Sequence, residues 1–99
     1  MFLILLDYRQ PLAVIDLHVA AHREHLAAQY AKGSLLLSGP QVPRNGGVIL
    51  ACLQTREEVD AMMQADPFVI NAVAEYRVVE FLARATHADL AAFAEALPA

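Results

Sequence analysis

Leu35-Leu36-Leu37-Ser38-Gly39-Pro40-Gln41-Val42-Pro43-Arg44-Asn45-Gly46-Gly47-Val48-Ile49-Leu50-Ala51-Cys52-Leu53 is the stretch whose reading decides the fold. Residues 35–38 and 48–53 are apolar runs of strand length, and the segment between them is dense in Gly, Pro and Asn, which supply turn dihedrals. Two strands so joined predict a hairpin in the middle of the chain. Upstream, Phe2-Leu3-Ile4-Leu5-Leu6-Asp7-Tyr8 reads as a first strand, apolar at nearly every position as for a strand covered on both faces. Pro11 suits a helix first turn, and a helical period runs from residue 12 to residue 32 until Gly33 supplies a stop. Downstream, Thr55-Arg56-Glu57-Glu58 matches a capping box, so a second helix starts there, with Val59, Met62 and Met63 facing the core. It must end near Asp66, because Pro67 pushes its predecessor out of the helical region, and residues 68–72 add a short turn. Residues 76–82 alternate with period two as a fourth strand, and Thr86-His87-Ala88-Asp89 opens a last helix through Leu97, with Leu90, Phe93 and Leu97 on one face.

The resulting order, β-α-β-β-α-β with right-handed crossovers, is the ferredoxin-like α+β pattern, a four-stranded sheet with two helices on one face and here an extra C-terminal helix. Ninety-nine residues suit one domain, 1–99, with no internal repeat or linker. The first and third strands would leave an apolar patch on the far face of the sheet, larger than a monomer usually shows. Packing two such sheets face to face covers it, so a symmetric homodimer with a barrel-like interior is expected. A hydrophobic content of 58% and a mean hydropathy of +0.40 point the same way.

Seven basic against eleven acidic residues give a formal charge of -4, so there is no basic field for a phosphate backbone and nucleic acid is not an expected partner. No apolar stretch approaches the roughly 20 residues of a membrane span, so no membrane partner is expected. Phe2 to Leu6 is too short for a signal peptide and runs into Asp7. The single Cys52 sits in an apolar run as a small buried hydrophobe, compatible with a reducing cytoplasm.

Titratable groups cluster in one place, His18-Val19-Ala20-Ala21-His22-Arg23-Glu24-His25-Leu26, to be read with the distant Asp66-Pro67-Phe68. The spacing 18, 22, 25 puts three of the four histidines on one helix face, beside the apolar stripe. His25 and Asp66 are the candidate catalytic pair, since a carboxylate that holds one imidazole nitrogen fixes the tautomer and raises the basicity of the other. A competing reading makes Asp66 only a helix N-cap, with Pro67 at the first helical position. A zinc site is the weaker reading of the histidine face, because the Glu of the HExxH pattern is missing and His at i+7 lies too far along the axis. No metal and no organic cofactor is expected. Polar groups of Tyr8, Ser38 and His22 are candidates to line a substrate pocket, and Arg9 or Arg44 could hold an anion.

Taken together, the apolar first strand ending in Tyr8, His25-Leu26, Gly39-Pro40, Gly46-Gly47, Ala65-Asp66-Pro67-Phe68 and Tyr76-Arg77-Val78 with Phe81 resemble the YCII-related (YciI-like) family over nearly the whole chain. The resemblance implies a dimeric α+β barrel with a His-Asp active site falling on His25 and Asp66. One departure is that the family often has Arg three residues before that histidine, where this chain has His22 with Arg23 beside it. The family is linked by resemblance to isomerases, dehydrochlorinases and other enzymes of aromatic breakdown. The expectation is therefore a small-molecule enzyme of lyase or isomerase type using a His-Asp dyad for proton transfer. The alternative is a non-catalytic dimeric domain that binds a small ligand.

Overall fold

The computed structural model describes residues 1–96. Its elements are β1 (Phe2–Tyr8), α1 (Leu12–Asp16), α2 (Val19–Ala31), β2 (Leu35–Pro40), β3 (Gly46–Ala51), α3 (Arg56–Gln64), α4 (Pro67–Ile70) and β4 (Ala74–Glu80), followed by a 3-10 helix at Ala88–Phe93. The strands form one antiparallel sheet in the order β2-β3-β1-β4, and the helices cover one face of it. This is the ferredoxin-like α+β arrangement expected from the element order.

Alternation along β1 separates the two faces. Phe2, Ile4 and Leu6 are buried, packing with Ile15, Leu26, Val59, Met63 and Phe68 from the helical layer. Leu3 and Leu5 point the other way and are only half-buried, paired across the sheet with Leu50 and Val48. Leu37 and Val79 extend that open face and are exposed.

The cap at Thr55 is made as the sequence implies: its hydroxyl oxygen accepts from the Glu58 amide at 3.2 Å. The Glu58 carboxylate takes the Thr55 hydroxyl hydrogen at 3.1 Å rather than reaching the Thr55 backbone amide. Gly33 ends α2 at φ +78°, a left-handed conformation that a side chain resists. At Gly46 the constraint is contact, because a Cβ there would overlap the Leu6 carbonyl oxygen.

Two expectations change. The long first helix is two helices, interrupted at Leu17-His18, where the Leu17 and His18 amides bond three residues back to Val14 and Ile15 in a tight turn. The C-terminal helix is a six-residue 3-10 segment whose Leu90 and Phe93 remain partly exposed, so no packed face stabilises a longer one. Leu97 lies outside the described residues.

Candidate active site

Asp66-Pro67-Phe68 builds the site in three residues. Asp66 is extended (φ -72°, ψ 127°), and its carboxylate accepts from the Phe68 amide at 2.9 Å, capping α4 with Pro67 in the first turn. A capping aspartate is normally a surface group, yet Asp66 is 0% exposed, the only buried charged residue among those described. The environment compensates it with an imidazole. Nδ1 of His22 lies 2.9 Å from each carboxylate oxygen. The sequence left a cap and a dyad as alternatives for Asp66, and the geometry contains both contacts at once.

The pairing is with His22, not His25. His25 turns instead to α3, its Nε2 donating to the Met62 carbonyl at 2.9 Å, which ties α2 to the end of α3. His22 follows Val19 by three residues and precedes Leu26 by four, so on α2 it shares the inward face of those two, while His25 lies a further 100° or so around the helix. That spacing was available in the sequence. Reading 18, 22 and 25 as one stripe hid it, because His22 lies nearer the Val19–Leu26 direction than His25 does. Among the described residues no group of three or more His, Cys, Asp or Glu side chains converges as metal ligands would. His18 caps α2 without a side-chain hydrogen bond, and His87 is exposed at the start of the 3-10 helix.

Phe68 supplies the second constraint on the imidazole. Its ring stacks on His22 with centroids 4.0 Å apart and planes 11° from parallel, and Tyr8 meets Phe68 edge-on at 5.8 Å. One edge of the histidine is therefore held by a carboxylate and one face by an aromatic ring. In the neutral ring, with the carboxylate as acceptor, the hydrogen belongs on Nδ1 and leaves Nε2 a lone pair. Nε2 makes no hydrogen bond among the described residues.

His22 and Phe68 line a cavity of about 560 Å³, within the range of small-ligand sites. Its apolar wall includes Leu6, Val19, Leu26 and Ile49. Tyr8 and Ser38 are on the wall, and so are Arg23, Arg44 and Asp16, whereas His25 is not. The Ser38 hydroxyl is engaged by the Tyr30 hydroxyl at 2.6 Å. The Arg44 side chain bridges to Asp16 at 2.7 Å, and Asp16 foremost, with Tyr8, holds the guanidinium above its ordinary pKa.

A second carboxylate cluster lies outside this cavity. Tyr76 on β4 donates to Asp60 on α3 at 2.7 Å, and Arg56 donates to the same oxygen at 3.2 Å. The Tyr76 hydrogen bond, followed by Arg56, holds Asp60 below the usual carboxylate range, while burial first and Asp60 second push Tyr76 up.

Among solved structures, the chain is similar to 5-chloro-2-hydroxyhydroquinone dehydrochlorinase (TftG) from Burkholderia phenoliruptrix, determined in complex with 2,5-dihydroxybenzoquinone, with a TM-score of 0.69 at 19% identity over 82% of this chain and 93% of that one. No curated protein sequence matches the chain. No helix among the described residues is long and apolar enough to cross a membrane. The model of the YCII-related domain matches residues 1–82, from the start of β1 through the end of β4, and the chain belongs to that family.

Proposed function

We propose that this chain is a small-molecule enzyme of lyase or isomerase type, in which Nε2 of His22 moves a proton and Asp66 orients the imidazole. The observation that carries the reading is the fully buried Asp66 carboxylate placed 2.9 Å from His22 Nδ1 at the wall of a ligand-sized cavity. A buried, charge-bearing pair in a cleft is where general acid-base chemistry is found. A base held in this way can take a proton from a carbon next to a carbonyl and return it elsewhere, or drive loss of a leaving group. The dehydrochlorinase with the same fold, in complex with a hydroxyquinone, supports a small cyclic substrate. The reading includes a homodimer, since the face with Leu3, Leu5, Val48 and Leu50 lies open on the sheet and a second copy would cover it.

Proton transfer can be tested before the substrate is known, by following solvent deuterium exchange into a panel of cyclic ketones, lactones and hydroxyquinones by NMR. The parent is expected to accelerate exchange into at least one of them. His22→Gln should lower that rate by roughly 10²–10⁴, the usual contribution of a positioned acid or base, while His25→Gln should keep most of it. Equal losses in the two variants would remove His22 as the base, and a ligand that binds the parent with no exchange and no turnover would leave a binding domain as the function.

A further inference from the structure

We infer that the cavity takes a monocyclic carboxylic acid, whose carboxylate replaces Asp16 on Arg44 while its ring lies along the aromatic row that ends at His22. This rests on the reading of the same cavity as the active site, and it adds the substrate class and a residue that selects it.

The starting point is where the ion pairs sit. Arg44 pairs with Asp16, Arg9 with Glu75 and Arg56 with Asp60. Among these, the Arg44–Asp16 pair is the one with both members on the wall of the His22 cavity. Arg44 comes from the loop between β2 and β3 and Asp16 from the last residue of α1, so the pair bridges two separate elements. Its side chains are 36% and 57% exposed. At that exposure an ion pair is largely screened by solvent and adds little stability. Exchanging one carboxylate for another on the same guanidinium therefore costs little, and the displaced Asp16 side chain is already more than half in solvent.

The second observation is the row of planar groups. The Arg44 guanidinium carbon lies 5.9 Å from the Tyr8 ring centroid, Tyr8 meets Phe68 edge-on, and Phe68 stacks on His22. Only two aromatic rings link the cation to the imidazole. A ligand with a carboxylate at one end and a flat ring at the other matches that order of chemistries. Guanidinium takes carboxylate with paired hydrogen bonds, and the ring replaces water on the apolar wall. Arg23 adds a second cation to the same wall in a chain whose formal charge is -4, so the cavity is locally favourable to anions against the trend of the whole molecule.

The test uses benzoate and its neutral analogue benzamide as probes, titrated into the full chain and its variants by NMR and calorimetry. Benzoate should bind the parent better than benzamide. Arg44→Gln should weaken benzoate about tenfold and change benzamide less than twofold. Asp16→Asn should act in the opposite direction and tighten benzoate severalfold, because the guanidinium loses its internal competitor. The double variant should bind benzoate no better than Arg44→Gln alone. Unchanged melting temperatures would show that both exposed substitutions leave the fold intact. The inference is overturned if Asp16→Asn leaves benzoate binding unchanged or weaker, if Arg44→Gln weakens both probes alike, or if neither probe binds. The proposed catalysis is judged apart from this by the His22 exchange assay: a parent that catalyses exchange but binds no benzoate keeps its base and loses the acid subsite. A parent that binds benzoate through Arg44 but fails to exchange keeps the subsite and loses the base.

Discussion

Two aspartates near α3 each hold a ring, and they do so in opposite surroundings. Asp60, within the helix, is about a third exposed, accepts from the Tyr76 hydroxyl and has Arg56 four residues earlier as a formal counter-charge. Asp66, just beyond the helix, is fully buried and faces an imidazole and one backbone amide, with no arginine or lysine among its contacts in the described residues. The first arrangement pins α3 to β4 and is satisfied at rest. The second places a carboxylate where desolvation would be costly unless the histidine opposite supplies hydrogen bonding and, when protonated, charge. An imidazolium formed at His22 during a reaction would meet a counter-ion already in place. Geometry alone makes the two clusters look alike, and burial is what separates the Asp60 fastener from the pair proposed to react.

The sharpest way to break this comparison is Asp66→Asn. Asparagine can still accept from the Phe68 amide, so α4 keeps its cap. Its NH₂ group, turned to Nδ1 of His22, would donate where a carboxylate accepts, and so would move the imidazole hydrogen to Nε2 and remove the base. The expected loss of exchange activity is roughly 10²–10⁴, as for other dyads given the wrong tautomer, with the chain still folded. Activity equal to the parent's would reduce Asp66 to a cap.

Asp66→Ala should show its effect in stability. It deletes the cap and leaves the His22 Nδ1 hydrogen without a partner in a largely dry place, and denaturant melts should show a loss of about 2–4 kcal/mol. The matching change in the other cluster, Tyr76→Phe, removes a hydrogen bond from a carboxylate that water and Arg56 can still satisfy. A fall in melting temperature of no more than about 5 °C is expected. If the two losses were the same size, burial would not be what distinguishes the clusters.

Acid titration is the mildest probe. Asp60 is held below the usual carboxylate range by Tyr76 and then Arg56, and Glu95 by the Ala83 amide and then the Met1 amino group. A carboxylate that protonates less readily in the folded chain leaves the unfolded chain binding more protons, so this stabilisation is present above the unfolded value near 4 and is lost as pH falls through the folded one. Stability measured between pH 5 and pH 2 should decline more gently in Asp60→Asn than in the parent. An identical slope would remove Asp60 from the acid response.

Much of this was written locally. The run Phe2–Tyr8 is a strand to its last residue, and the Thr55 and Asp66 caps stand where their side chains can reach the amides that follow. These features depend on neighbours in the chain. The partner of Asp66 depends on a helix 44 residues away, and its identity turned on which of two histidines three positions apart faces inward. The interruption at Leu17-His18 has no Gly or Pro to announce it, and Leu is a good helix former, so a single long helix was the natural reading. The C-terminal segment failed for the complementary reason: Leu90, Ala91, Ala92 and Phe93 favour a helix only if something covers them, and Leu90 and Phe93 stay partly exposed.

The loop that carries Arg44 is closed at its base, where the Gln41 amide donates to the Gly46 carbonyl at 2.9 Å and Gly46 lies against Leu6 too closely for any side chain. The base of the loop is thus a fixed socket, and Arg44 is carried beyond it. The His22–Asp66 pair is rooted elsewhere, in α2 and the Asp66-Pro67-Phe68 turn. A lineage built on this frame could exchange its loop sequence and so change which molecules it accepts, without disturbing the groups that would react with them. Under the proposed function, substrate choice at the Arg44 end of the cavity would then be heritable apart from the His22–Asp66 pair.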